Sequence, residues 1–272
     1  MQRKIRLIAA DMDGTLLNSS SRLTDFTIAT IHKAQALGII FAICSGRYLE
    51  NIQIVLKDAG INCPIISLNG CIVQAGERRV HTDYMKKNTV RTLYETFEQL
   101  HVSYYLFGPG SVTTRYEGKP HHSVVEFAPR LEKEYGVTFT MGEAASKAAS
   151  YKEQFKYFVY QDQGCCTLDA AFDAAKDISG IGFTRSGNEN FEIMPVYVNK
   201  MYGIEHLARF FNIRMNEVMA IGDHDNDVPM LKAAGMGIAV ANASDKAKEA
   251  ADIIVESNDN DGAAKAILQF VL

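Results

Sequence analysis

The chain lacks three things: a long apolar run, a tract of basic residues, and cysteines at metal-binding spacing. No stretch approaches the roughly 18 apolar residues of a membrane-spanning helix, so no membrane partner is expected. The first apolar stretch, residues 5–10, is too short for a signal peptide and ends in an acid. Lys and Arg total 28 against 32 Asp and Glu, a net charge of −4. With no cationic run to follow a phosphate backbone, no nucleic-acid partner is expected. The five cysteines, Cys44, Cys63, Cys71, Cys165 and Cys166, are odd in number, and the adjacent last two are poorly placed to pair with each other. Reduced thiols in a cytoplasmic protein are the plain expectation. With 47% hydrophobic and 22% charged residues, the composition excludes a disordered chain, a collagen and a disulfide-stapled miniprotein.

What is present is enough chain, 272 residues, for one large domain or two smaller ones. Apolar runs alternate with helical periodicity in the order β, α, β, α, β, which predicts an α/β fold: a doubly wound, Rossmann-like parallel sheet. Residues 5–10 read as a buried strand ending at Asp11. Thr24 reads as the cap of a helix carrying Ile28, Ile31, Ala34 and Leu37, stopped by Gly38. Strands follow at 39–44 and 64–68, the latter turned by Asn69-Gly70. Near Asp83 the texture changes to a Tyr- and Phe-rich α+β segment, and near Asn190 the doubly wound pattern resumes. The expected division is a core of residues 1–83 and 191–272 with an inserted α+β cap domain of residues 84–190. Such an insertion creates a cleft, and ligands of such sheets bind outside the carboxyl ends of the strands.

Four stretches carry chemistry. Asp11-Met12-Asp13-Gly14-Thr15 follows the first strand. Residues two apart on extended backbone point the same way, so Asp11 and Asp13 are expected to converge. Such a pair needs a divalent cation, a lysine or a shared proton. Ser45-Gly46 ends the second strand, where a serine caps the next helix or holds a phosphate oxygen beside helix amides. Lys200 opens a helix, where the macrodipole disfavours a cation; it is either a solvated surface lysine or is held there for a reason. Gly222-Asp223-His224-Asp225-Asn226-Asp227 ends another apolar strand. Its alternating acids imitate a calcium loop, but Val228 and Ala234 occupy the positions that need Gly and Glu, which excludes one. His224 is either a metal ligand or a solvated loop residue. Hard carboxylate oxygens without thiolates or paired imidazoles suit Mg²⁺. A metal, a lysine and helix amides beside a carboxylate nucleophile describe phosphoryl transfer through an aspartyl-phosphate.

These stretches, in this order, resemble the four motifs of the haloacid dehalogenase (HAD) superfamily of phosphohydrolases. Asp11-x-Asp13-Gly14-Thr15 resembles the first, Ser45 the second, Lys200 the third and Gly222-Asp223-x-x-Asn226-Asp227 the fourth. The insertion between the second and third resembles the Cof-like subfamily with its large α+β cap, as do Asn69-Gly70, residues 190–195 and Asn242-Ala243. The resemblance implies Asp11 as nucleophile and Asp13 as acid and then base. It implies phosphoryl binding by Ser45, the Gly46 and Met12 amides, Lys200 and Asn226. It further implies Mg²⁺ binding by Asp11, the Asp13 carbonyl and Asp223, with Asp227 orienting that set. His224-Asp225 departs from the subfamily's usual residues and puts leaving-group preference in doubt. Tyr116, His121, His122, Arg115 and Arg185 are candidates for contact with the leaving group, as are Arg47 and Asn69 on the core.

The expected activity is a Mg²⁺-dependent phosphatase acting on a small phosphorylated metabolite, such as a sugar phosphate or a phosphorylated cofactor. A phosphomutase on the same scaffold is the enzymatic alternative, and a non-catalytic phospho-acceptor or regulatory binding protein the other. A dehalogenase fits less well, because Asp13, Lys200 and the acidic cluster favour phosphate and Mg²⁺. The physiological substrate and the oligomeric state stay open at this level.

Overall fold

A computed structural model describes residues 4–115, 127–162, 166–187 and 189–272. The chain begins with β1 (Leu7–Ala10), α1 (Asp25–Ala36), β2 (Ile40–Cys44), α2 (Leu49–Asp58), β3 (Ile65–Ser67) and the hairpin β4 (Ile72–Ala75) and β5 (Arg78–Thr82). Thr24 caps α1 as expected, its hydroxyl accepting the Thr27 amide at 3.0 Å.

A second unit follows, built from α3 (Lys87–Leu100), β6 (Tyr104–Gly108), β7 (Ser111–Thr114), α4 (Ala128–Tyr135), β8 (Thr138–Met141), α5 (Glu143–Ser150), β9 (Lys156–Tyr160), α6 (Leu168–Ala175), β10 (Ile181–Thr184) and β11 (Asn190–Pro195). The chain then returns to the first unit with α7 (Lys200–Phe210), β12 (Val218–Gly222), α8 (Val228–Ala233), β13 (Met236–Val240), α9 (Asp245–Ala250), β14 (Ile253–Val255) and α10 (Gly262–Phe270).

The first unit, Met1–Thr82 with Asn199–Leu272, holds an eight-stranded sheet in the order β14-β13-β12-β1-β2-β3-β4-β5. The six strands from β14 to β3 run parallel, and β4 and β5 are antiparallel. The order reverses between β1 and β12, the switch point where open α/β sheets bind ligands. Register places the chemistry: Ala10 lies opposite Ile221 on one side and Ile43 on the other. Asp11, Ser45 and Asp223 therefore leave the sheet at one edge. β1 and β12 are apolar throughout and fully buried, as strands covered on both faces must be.

The second unit, Asp83–Val198, has a six-stranded sheet in the order β10-β11-β9-β6-β7-β8. Tyr104, Leu106, Tyr157, Val159, Phe191 and Ile193 line one face and pack on Leu93, Phe97, Ala171 and Ala175 of its helices. The alternate positions of β9 and β11 carry Lys156 and Glu192, an ion pair at 2.8 Å with both side chains only 2% exposed. Ser186 donates to the same carboxylate at 2.6 Å.

Two sequence expectations need correction. The boundary expected at 190/191 lies at 198/199, because β11 pairs with β9 and β10 in the second sheet. The strand β8 had no counterpart in the sequence reading. It is a mostly exposed edge strand with no buried face to give it a period-two pattern. Tyr116, His121, His122 and Cys165 lie outside the described residues, whereas Arg115 pairs with Glu98 at 2.7 Å within the second unit. Cys44, Cys63, Cys71 and Cys166 are free thiols. Among the described residues, no helix is long and apolar enough to cross a membrane.

Candidate active site

The strand β1 stops at Ala10, and Asp11 continues its ladder by donating its amide to the Ile221 carbonyl at 2.9 Å. Met12–Leu16 then folds into one irregular turn, closed by the Leu17 amide on the Met12 carbonyl at 2.9 Å. Gly14 sits at φ +73°, and a Cβ there would collide with the Asp223 carboxylate. Only glycine meets both demands. Thr15 donates its hydroxyl to the same carboxylate at 2.8 Å.

Because the chain turns at Met12, Asp11 and Asp13 do not share one stretch of extended backbone. The two acids take different partners, although Asp13 lies near enough to push the Asp11 carboxyl up. Asp11 is 5% exposed and meets Lys200. The Asp13 side chain is half exposed and is gripped by Arg47 at 2.7 and 2.5 Å.

Lys200 is not a surface lysine. Asn199 caps α7 through the Tyr202 amide at 3.0 Å, and this places Lys200 at the first helical position with 0% exposure. Its ammonium lies 2.7 Å from Asp11 Oδ1 and 2.5 Å from Asp227 Oδ1. The second oxygen of Asp227 accepts the amides of Asp223 and His224 at 2.9 and 3.0 Å. Both Asp227 oxygens are thus committed. Gly222 leaves no room for a Cβ beside that carboxylate. Of the alternating acids, Asp225 turns away to Ser244 and Lys246 at 3.1 and 2.6 Å. Asn226 is buried; its amide donates to Asn69 Oδ1 at 3.2 Å, and its own Oδ1 has no hydrogen-bond partner among the described residues.

Ser45 is 1% exposed, and its backbone ties β3 to the following loop through Ile66 at 2.9 Å and Asn69 at 3.0 Å. Its hydroxyl accepts the Arg47 amide at 3.2 Å. The helix α2 begins later, behind Tyr48, so the capping alternative for Ser45 falls. Arg47 is itself fixed by its carbonyl, which accepts from Leu68 at 3.0 Å and Ser67 at 2.9 Å. Gly46 lies between them, and Met12 lies in the β1 turn.

Burial dominates the electrostatics. It pushes the Asp11 carboxyl well above the ordinary range; Lys200 pulls it back, and Asp227, Asp223 and Asp13 push it further up. Burial raises Asp223 to about 6, with Asp227 adding to the shift. For Lys200 burial works against the charge, but Asp11 and Asp227 outweigh it and hold the ammonium above its usual value. One cation therefore faces three acids. Asp11, Asp223 and Asp227 offer carboxylate oxygens within 4.8 Å of one another, a hard-oxygen set that fits a divalent cation such as Mg²⁺.

Sequence reasoning gave no role to Thr15 or to the Asn69–Asn226 pair, and left Arg47 unassigned. Each acts through a partner distant in the chain. The nearest signal was their place inside or beside the motifs.

A family model for haloacid dehalogenase-like hydrolases matches residues 8–267. The chain is 26% identical over 278 residues to the phosphatase YwpJ of Bacillus subtilis, covering 96% of this chain and 98% of that one. It is also 26% identical to the 5-amino-6-(5-phospho-D-ribitylamino)uracil phosphatase YcsE of the same organism, covering 98% of this chain and 96% of that one. A solved haloacid dehalogenase-like hydrolase from Bacteroides thetaiotaomicron superposes with a TM-score of 0.82 at 27% identity, over 98% of this chain and 99% of that one. A solved structure from B. subtilis shares the fold, with a TM-score of 0.84 at 24% identity over 98% of this chain and all of that one. With the family model matched over residues 8–267, and with the fold and nearly the whole length in agreement, the chain belongs to the haloacid dehalogenase-like hydrolases and is an enzyme of the phosphatase type.

Proposed function

We propose that the protein is a Mg²⁺-dependent phosphatase of small phosphorylated metabolites that works through an aspartyl-phosphate on Asp11. The observation that carries this reading is Asp11 itself: a buried carboxylate at the sheet's switch point, held by Lys200 and facing Asp223 and Asp227. Relatives named for a phosphorylated ribitylaminouracil, and a structural neighbour described as a sugar phosphatase, suggest the substrate class. The free thiols are in keeping with a cytoplasmic location.

In this reading an Asp11 carboxylate oxygen attacks phosphorus while Asp13 gives a proton to the departing ester oxygen. Asp13, now a carboxylate, takes a proton from water. That water attacks phosphorus, which releases inorganic phosphate and restores Asp11. Lys200, Ser45, Asn226 and the Gly46 and Met12 amides hold the phosphoryl oxygens. Asp11, the Asp13 carbonyl and Asp223 would hold Mg²⁺, which when bound would neutralise phosphoryl charge near the acids. Asp227, with both oxygens occupied by Lys200 and backbone amides, fixes the position of these groups.

Phosphate release from a panel of monoesters, with and without Mg²⁺, tests the proposal. Release should need Mg²⁺ and vanish in Asp11→Asn; near wild-type turnover in that variant would end the mechanism. Label from ¹⁸O-water entering released phosphate separates hydrolysis from mutase transfer.

A further inference from the structure

We infer that Asn242 is a positioning residue of the catalytic turn, acting with Asn258 as an external brace on Met12–Leu16. The inference rests on the proposed role of that turn. Asn242 lies just beyond β13, and its side-chain amide donates to the Gly14 carbonyl at 2.7 Å. Its Oδ1 accepts the Asn258 amide at 3.0 Å. Asn258 in turn donates its side-chain amide to the Leu17 carbonyl at 2.9 Å. Two asparagines, linked to each other, thus hold both ends of the segment that lies between Asp13 and the first residue after the turn. A third tie lies beyond, from the Ser19 amide to Asp259 at 2.7 Å.

The turn needs an external hold. It is neither strand nor regular helix: Asp13 is extended, with φ −74° and ψ 124°, and Gly14 is left-handed. Its inner side is set by Asp223, through Thr15 and the contact at Gly14. Asn242 sets its outer side. The Gly14 carbonyl belongs to the Gly14–Thr15 peptide, one residue beyond Asp13, and its bond to Asn242 limits how far the backbone that carries the Asp13 carboxylate can move. The brace is itself anchored, because the Ala243 amide bonds the Val240 carbonyl at 2.9 Å at the end of a buried strand.

Asn242 is exposed to solvent. Water can satisfy the groups it leaves, so its loss costs the fold little. A loosened catalytic turn costs far more, because small displacements of reacting groups lower the rate steeply. Asn242→Asp keeps the shape and the acceptor for Asn258 but removes the donor and sets a carboxylate against the Gly14 carbonyl. Asn242→Ala removes the donor without adding charge, and Asn258→Ala removes only the Leu17 tie.

The experiment measures p-nitrophenyl phosphate turnover with Mg²⁺, thermal midpoints, and hydrogen exchange of peptides spanning residues 12–20. Asn242→Asp and Asn242→Ala should lower kcat at least tenfold with KM changed by less than about threefold, and Asn258→Ala less. Exchange in the turn should speed up about tenfold while the midpoint moves by no more than about 3 °C. Wild-type kcat in both Asn242 variants, or lost activity with unaltered exchange in the turn, would overturn the brace. If the wild-type protein releases no phosphate from any ester, the phosphatase reading fails. The exchange data then decide the brace alone, faster exchange sustaining it and unchanged exchange refuting it.

Discussion

Arg47 holds Asp13 as a fork holds a carboxylate, with Nε on one oxygen at 2.7 Å and a terminal nitrogen on the other at 2.5 Å. This fixes the plane of the carboxylate as well as its distance, which a lysine ammonium cannot do. Arg47→Lys should therefore keep the charge and lose the alignment. We expect kcat to fall about tenfold for alkyl phosphates, whose leaving oxygen needs a proton, and less for p-nitrophenyl phosphate. Equal losses on both esters would show that Arg47 does not act through Asp13.

Removing Lys200 should affect rate and fold together. Lys200→Met leaves Asp11 and Asp227 buried without their shared cation. Turnover should drop by at least about 10²–10³. In the metal-free protein, unfolding should become easier by about 3–5 kcal/mol, the usual result of stripping one partner from a buried pair. Denaturant titration with and without Mg²⁺ measures this.

Asp223 carries the pH dependence. Burial raises its carboxyl to about 6, so a bound proton competes with a metal below that pH. Calorimetric titration with Mg²⁺ should release more protons at pH 5.5 than at pH 7.5. The folded metal-free protein also binds this proton more tightly than the unfolded chain does. Its stability should therefore rise as pH falls from about 6 toward the ordinary carboxylate range, and added Mg²⁺ should erase the gain.

Gly14→Ala should be poorly tolerated. An alanine at φ +73° costs about 1–2 kcal/mol, and its Cβ meets the Asp223 carboxylate. Mg²⁺ affinity should weaken with activity, because the displaced group is a proposed ligand. Unchanged Mg²⁺ binding in a folded Gly14→Ala protein would show that the collision is relieved elsewhere.

In the second unit, Glu192→Ala removes the carboxylate paired with the Lys156 ammonium, a group 2% exposed that lies against the rings of Phe107 and Phe158. The expected loss is about 3–5 kcal/mol. Replacing both partners, Lys156→Met with Glu192→Leu, should recover most of it, as read from thermal midpoints.

Much of the site was legible because its parts each end a buried strand or begin a capped helix. Asp11, Ser45, Lys200 and Asp223 could be placed from apolar runs and caps alone. The sequence did not disclose how they partner. The pairing of Asp13 with Arg47 depends on where the chain turns at Met12, and the commitment of Asp225 to Lys246 depends on which way one short turn rolls. Lys200 read equally as a surface lysine, because its burial comes from strands far away in the chain. The boundary expected at 190/191 cut off a strand at 191–194 that reads with the α+β segment, and its pairing with β9 shows that the second sheet owns it.

The order of strands also has a consequence for how activity begins. β1 pairs with β12, and the Thr15 bond to Asp223 joins residues 208 positions apart. A growing chain therefore exposes Asp11, the proposed nucleophile, early and waits for more than two thirds of synthesis before Lys200 and Asp223 arrive. Contacts this distant are slow to close. The proposed catalytic centre is thus among the last parts of the molecule to assemble, and a truncated or nascent chain carries Asp11 without the groups that face it in the folded protein.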